Sequence, residues 1–306
     1  MTSMVEKVNL LIAFVVLHYN ALNETEALIN SIISRIDVER YAIIVVDNFS
    51  NNGSGDLLFS HFENNSKIDI IKTEKNLGFA NGNNFGIDFC RNKYNSKFIC
   101  CLNNDTLMIQ KNFCKNLIRE YNRSRAAVIG PRIILKNGLL YCSGRKLLSL
   151  DEYKELYDSV INNKCEKPLE SPNRIKAFVK KMFPRLIVLR RNIKNSFWGE
   201  KLLLRKTDVI LHGCCLIFTP VFFESLNGFD NRTFLYFEEE LLYIMLKKMR
   251  MISVYNPSLK ILHLEDAATK TIVKNESEMK SFVNKHLSVS LGIFIGEMEN
   301  NKKSKK

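Results

Sequence analysis

The chain has 306 residues, 46% hydrophobic and 25% charged, and its 45 Lys and Arg against 32 Asp and Glu leave a formal net charge of +13. That length suits one large α/β domain or two small ones, and the composition excludes collagen-like, low-complexity and membrane-spanning classes. No apolar run reaches the roughly 18 residues that a membrane helix needs, and residues 1–7, which include Glu6 and Lys7, do not read as a secretory signal.

Strand and helix patterns alternate along the first 130 residues. An apolar strand at 10–17 is followed by a helix at 24–36, whose apolar positions Ala27, Leu28, Ile32 and Ile33 share one face. A second strand at 42–46 leads through a turn rich in Asn, Ser and Gly at 48–55 to a short helix at 56–63. A third strand at 68–72 precedes an Asn/Gly loop at 76–84, a helix near 85–91 and a fourth strand at 98–102. This βαβα order predicts parallel strands with right-handed crossovers. A helix at 111–121, a strand at 128–135 and a hairpin-like return through Asn137-Gly138 to Tyr141 come next.

Residues 149–206 break the pattern and read as a basic helical insertion. Within it, Phe183, Leu186, Ile187 and Leu189 alternate with Lys180, Lys181, Arg185, Arg190 and Arg191, with Pro184 against one continuous helix. Such a stretch packs on its own domain or lies on an anionic bilayer. Regular structure resumes with a strand at 209–218 interrupted by Gly213, then a helix opened by Pro220 that ends before Asn227-Gly228. Residues 234–237 run into Glu238-Glu239-Glu240 and an amphipathic stretch at 241–249. Short strands at 252–255 and 259–263, a helix at 276–298 and a disordered basic tail complete the reading.

The eight cysteines include the adjacent pairs Cys100-Cys101 and Cys214-Cys215 inside apolar runs, and no C-x-x-C occurs. Adjacent strand residues face opposite ways and cannot ligate one ion, so buried reduced thiols in a reducing cytoplasm are expected. The basic excess carries no nucleic-acid-binding motif; it reads as solvated surface or as attraction to an anionic membrane.

Two apolar runs end on aspartates, Asp47 and Asp105. Ligands of open α/β sheets bind outside the carboxyl ends of the strands. With the loops at 18–20, 76–84 and 103–105, that edge offers an aromatic ring, two carboxylates, small amides and glycines, which suits a nucleotide. Neither G-x-G-x-x-G nor G-x-x-x-x-G-K-[ST] is present, so a divalent metal on Asp105 would meet the diphosphate charge. Against this, Asp47 and Asp105 are also turn-capping residues and the 76–84 loop is also a helix entrance. At 238–240, three acids beside a bulky apolar wall suit general-base work, while acids in a first helical turn also favour the helix dipole. Glu239 takes the functional reading and Glu240 the dipole reading.

The strings VVLHYN (15–20), VVDNFSNNGS (45–54), NLGFANGNNFG (76–86), LNNDT (102–106), HGCCLIFTPVFFESLNGFD (212–230) and FLYFEEELL (234–242) together resemble the family 2 glycosyltransferases. The resemblance is to bacterial enzymes that build surface polysaccharides with rhamnosyl or related sugars, and it spans residues 8–263. It implies a GT-A fold, a Rossmann-like α/β arrangement with a mostly parallel central sheet flanked by helices. It also implies a nucleotide-sugar-binding half (1–145), the basic insertion (146–206), an acceptor-binding half (207–270) and a C-terminal helix with a basic tail (271–306).

The same resemblance implies site residues. Asp47 matches the aspartate that contacts the donor base; Tyr19, Asn20, Asn76, Gly78, Asn83 and Asn104 match donor-binding positions. Asp105 matches the last position of a D-x-D metal motif whose first position is Asn103 here, and His263 matches a histidine near the diphosphate or metal. Glu239 matches the catalytic base, with Glu238 as rival, and His212, Gly213 and Cys214 match the sugar and acceptor pocket. The implied activity is inverting transfer from a UDP- or dTDP-sugar, with Mg2+ or Mn2+, to a saccharide or lipid-linked saccharide. The implied setting is cytoplasmic and peripheral at the inner face of the plasma membrane, in polysaccharide and cell-envelope biosynthesis. The altered acidic motifs admit an alternative, a non-catalytic nucleotide-sugar-binding paralogue or assembly subunit.

Overall fold

The computed structural model describes residues 7–141, 144–162, 203–264 and 276–303. The basic amphipathic stretch read at 178–191 lies outside the described residues. Nine strands form one sheet in the order β3-β2-β1-β4-β8-β6-β9-β5, with β7 added on β9. They are β1 (Val8–His18), β2 (Tyr41–Asp47), β3 (Ile68–Lys72), β4 (Tyr94–Asn103), β5 (Thr106–Met108), β6 (Val128–Leu135), β7 (Lys206–Thr207), β8 (Cys215–Phe218) and β9 (Ser253–His263). The first four strands are mutually parallel, β6 and β9 share their direction, and β5, β7 and β8 run against it. The sheet is therefore mixed and mostly parallel, as the alternating pattern predicts.

Period-two alternation builds both faces of this sheet. Phe14, Val16, Ile43, Val45, Phe98 and Cys100 pack on α1 (Leu22–Arg35), α2 (Ser54–Phe62) and α4 (Phe113–Ser124) through Leu28, Ile32, Leu58 and Leu117. Ala13, Val15, Ile44, Val46, Ile99 and Cys101 pack the other way, on α3 (Gly78–Lys93), α6 (Pro220–Phe223) and α7 (Glu238–Lys248). Among the described residues Cys90, Cys100, Cys101, Cys114, Cys214 and Cys215 are buried and unbridged, and burial raises the thiols of Cys90, Cys100, Cys101 and Cys114. No described helix is long and apolar enough to cross a membrane.

Four expected boundaries move. The loop read at 76–84 is helical from Gly78, because its asparagines bond within and beyond the helix instead of ending it. The strand read at 209–218 is β8 alone: residues 212–215 turn, and Ile210 bridges Arg145 outside the sheet. The two short strands at 252–255 and 259–263 are one strand, β9, whose register shifts against β6 at Pro131/Arg132. Pro257 lacks a ladder donor, and its carbonyl accepts from Arg132 Nε and Nη2 at 3.0 and 2.7 Å. The C-terminal helix, α8 (Glu276–Lys303), runs into the expected tail.

Of the insertion read at 149–206, the described part includes α5 (Leu150–Ile161), opened by a capping box between Ser149 and Glu152. At the other end, Arg205 grips the buried Glu120 carboxylate of α4 with Nε and Nη2, at 2.8–3.0 Å. Helices α5 and α8 pack on α7 through Tyr153, Phe237, Leu241, Leu287, Leu291 and Phe294.

A strap at 228–237 then crosses α3. Asn84 accepts from Phe229 N and donates to Phe229 O, Asn81 donates to Asn231 O, and Phe79 N donates to Phe234 O at 2.8 Å. Gly78 makes this approach feasible: its φ is +75°, and a Cβ there would stand 2.2 Å from Phe234 O. Gly78→Ala therefore combines left-handed strain with a backbone collision. Urea unfolding is expected to show a loss of about 2 kcal/mol or more, and an unchanged midpoint would contradict the strap's tight seating.

Candidate active site

The site is set by register. His18 stands opposite Asp47 and Leu17 opposite Asn103, so β2, β1 and β4 end together. Asp47 is buried; its Oδ1 accepts from Ser50 N at 2.9 Å, which is the turn-capping role, while its Oδ2 has no hydrogen-bond partner. Lys72 Nζ lies 3.9 Å from that oxygen, and Gly55 packs so closely that a Cβ would be 2.0 Å from it. One carboxylate oxygen thus braces the loop and the other remains available.

The asparagines expected on the donor side are mostly bound into the fold. Asn20, at φ +55°, accepts from Asn51 N through Oδ1, and its N–H donates to Ser50 Oγ. Asn76 Oδ1 accepts from Gly78 N and from Asn48 Nδ2. Asn83 Nδ2 donates to Phe79 O, whereas its buried Oδ1 has no hydrogen-bond partner. Asn104 Nδ2 donates to Thr25 Oγ1 at 3.2 Å. Tyr19 is partly buried beside them.

Thr25 gives its only hydroxyl proton to Ala21 O, so it accepts from His18 Nδ1–H, and Ser54 Oγ–H donates to His18 Nε2. Burial, opposed by Asp47, pushes His18 down to about 4 and keeps this clamp neutral. Two residues outside the expected set matter here. Asn48 donates to Gly78 O and accepts from Leu77 N, tying the β2 end to the start of α3. Phe49 is 48% exposed at φ +68°, a conformation that bulky side chains rarely adopt.

Asp105 ends the second run. β5 begins directly after it and pairs antiparallel with the end of β9, with Thr106 opposite His263, so residues 157 apart in sequence meet. His263 Nε2 lies 3.2 Å from Asp105 Oδ1; neither that oxygen nor His263 Nδ1 has a hydrogen-bond partner, and both are buried. Asn103 sits at the same turn, its carbonyl accepting from Thr106 Oγ1. The described residues contain no cluster of three or more metal-ligating side chains. A free hard oxygen beside an imidazole does fit a divalent ion that takes its other ligands from phosphate and water.

The acids at 238–240 arrive from the strap. Tyr236 and Phe237 adopt φ +74° and +66° in succession, and the strain is held by packing of Phe237 against Phe294 and Tyr153. Glu239 Oε1 accepts from Gly213 N at 2.7 Å, and Oε2 lies 3.3 Å from Arg145 Nη2. Arg145 Nη1 binds the buried Glu240, so Glu240 is more than a dipole partner. His212 Nδ1 accepts from Cys214 N at 3.0 Å; burial, aided by His263 and Arg145, pushes His212 down to about 3, so its proton resides on Nε2. Its ring stands 5.8 Å from that of His263.

A continuous row results: Asp105, His263, His212, Gly213, Glu239, Arg145. Register unites the β1, β2 and β4 ends, and the strap adds the acids. Arg145 follows a hairpin return and is 94 residues from Glu239, so no spacing rule pointed to it.

Glu238 differs from its neighbours. Its Oε1 is buried without a hydrogen-bond partner, and burial raises the carboxyl to about 8, with Glu239 and Glu240 adding to the shift. Between the usual 4.5 and about 8 the native state holds a proton that the unfolded state has lost, so this contribution falls by about 1.4 kcal/mol per pH unit as pH rises. Glu238→Gln is therefore expected to gain stability relative to the parent from pH 5 to pH 8 in urea unfolding. Parallel pH courses would refute a protonated Glu238.

Comparison with known proteins bears on this arrangement. The model of Glycosyl transferase family 2 matches residues 13–164. An uncharacterized glycosyltransferase of Haemophilus influenzae (strain ATCC 51907 / DSM 11121 / KW20 / Rd) is 40% identical over 88 residues, which is 28% of this chain and 26% of that protein. The matched part thus spans about a quarter of that relative. Among solved structures, S. aureus TarS residues 1–349 in complex with UDP is 18% identical, covering 45% of this chain and 38% of TarS, with a TM-score of 0.36. The same fragment in complex with UDP-GlcNAc is 16% identical, covering 50% and 47%, with a TM-score of 0.37. Residues 13–164, which carry Asp47 and Asp105, thus match the family 2 glycosyltransferases.

Proposed function

We propose that this protein is an inverting glycosyltransferase that moves a sugar from a nucleoside-diphosphate sugar to a saccharide or lipid-linked saccharide. The observation that carries the reading is the row from Asp105 to Glu239, which joins a strand-end carboxylate to a second acid across the sheet edge. The family match stops before 238–240, so the catalytic half rests on this geometry.

In this reading the free Asp47 Oδ2 accepts from the nucleotide base, with Tyr19 and Asn83 Oδ1 nearby on the donor side. Glu239 takes the proton of an acceptor hydroxyl as that oxygen bonds to the anomeric carbon. The bond from that carbon to the diphosphate oxygen breaks, and the nucleoside diphosphate leaves with the electron pair. Single displacement inverts the centre and needs no covalent intermediate. Glu239 is a better base than Glu238, because Glu238 already holds its proton at neutral pH. Asp105, with Asn103 and His263, would hold Mg2+ or Mn2+, which when bound supplies positive charge for the departing diphosphate. His212, Gly213 and Cys214 border the sugar and acceptor side. A lipid-linked acceptor would place the work at the inner face of the plasma membrane, as a step of surface-polysaccharide synthesis.

Thermal shifts against UDP-, dTDP- and GDP-sugars, with and without Mn2+, should single out one nucleotide and show metal dependence. Glu239→Gln should keep that donor shift while turnover falls by about 100-fold or more. Near-normal turnover would remove Glu239 as base, and donor binding without any hydrolysis or transfer by the parent would mark a nucleotide-sugar-binding module.

A further inference from the structure

Among the described residues Arg145 is the cation shared by two adjacent carboxylates of the acidic triplet, and its own placement is tightly determined. Gly144, at φ +76°, brings the backbone so close to its neighbours that a Cβ would stand 3.1 Å from Lys206, 3.3 Å from Tyr255 and 3.4 Å from Val209. Arg145 and Ile210 then exchange two backbone hydrogen bonds, 3.1 Å from Arg145 N to Ile210 O and 2.8 Å in return. Three residues past Ile210, Gly213 N–H holds Glu239 Oε1. The guanidinium and that N–H are therefore carried by two segments bridged to each other. Both oxygens of Glu239 are met from this pair of segments, and each keeps a second lone pair for a proton.

The buried Glu240 supplies the anchor. It binds Nη1 and leaves Nη2 directed to Glu239 Oε2 at 3.3 Å. We propose that Arg145 is a positioning residue for the base: anchored on Glu240, its fork fixes the Glu239 carboxylate against Gly213 N–H in one orientation. A lysine ammonium is a point charge and cannot present the same two-pronged geometry. The groups facing Glu239 are Arg145, Glu238 and Glu240, with His212 beside Gly213; Tyr153 of α5 faces Arg145.

The inference rests on Glu239 as base, and a substrate-free measurement separates the two claims. In the full chain labelled with 13C at glutamate carboxyls, the Glu239 signal is identified by its loss in Glu239→Gln. Arg145→Gln should broaden or split that signal as the carboxylate loses its single orientation, with far-UV circular dichroism unchanged. Arg145→Lys serves if that variant fails to fold, and should disturb the signal less. With the donor selected by thermal shift, hydrolysis by Arg145→Lys should lose about 100-fold in kcat at unchanged donor KM.

A single, unchanged Glu239 signal together with parental kcat in Arg145→Lys overturns the proposal while leaving Glu239→Gln to judge the base. A disturbed signal with full turnover by Glu239→Gln upholds the Arg145–Glu239 link and overturns the base reading alone.

Discussion

The arrangement depends on one backbone hydrogen bond, from Phe79 N to Phe234 O across a glycine. With the Asn81 and Asn84 side-chain bonds to the strap, it holds two distant parts of the chain together. On one side is the start of α3, which Asn48 ties to the end of β2 and so to Asp47. On the other is the strap that delivers Glu238, Glu239 and Glu240. Any side chain at Gly78 pushes these apart, because the obstacle is main chain and has no rotamer through which to yield. Phe234 is held from behind as well, its ring stacked on His286 of α8 at 4.5 Å.

The buried polar groups divide by whether they are satisfied. His18, Asn48, Asn76 and Asn104 are internally bonded, and they hold loops in place. Asp47 Oδ2, Asn83 Oδ1, Asp105 Oδ1, Glu238 Oε1 and His263 Nδ1 are not. Leaving a buried polar atom unbonded costs on the order of 1–3 kcal/mol. Under the proposed reading a polar ligand completes those of Asp47, at the end of β2, and of Asp105, just before β5. Consecutive left-handed residues at 236 and 237 belong with this pattern of local cost at a working region.

Much of this was legible from residue order. Runs such as 42–46 and 98–102 are apolar at every position, which only strands covered on both faces require; Asp47 closes the first strand, and Asp105 follows the second after Asn103 and Asn104, directly before β5. The third strand matches the expected span to the residue. What failed had a physical cause in each case. Asparagine-rich sequence at 76–84 reads as loop, yet Asn81, Asn83 and Asn84 spend their amides on tertiary and intrahelical bonds. Asn256-Pro257-Ser258 reads as a break, yet Arg132 bonds the Pro257 carbonyl and the strand continues through a bulge. Arg145 could not be found by pattern, because its role is created by a pairing with Ile210 that only tertiary structure makes. Of the proposed metal site, Asp105 was reached from the apolar run before it, while His263 was expected only through the family resemblance, because its meeting with Asp105 depends on the antiparallel partner of a three-residue strand.

Helix α5 and Arg205 fasten the chain at two points that differ in their relation to the acid row. Ser149 caps α5 on one side, and Arg205 is clamped on Glu120 on the other, on a helix that contributes nothing to the acid row. Tyr153 of α5 packs on Phe237 and stands beside Arg145, so a change that displaced α5 would reach Glu239, whereas loosening Arg205 would be felt first by α4.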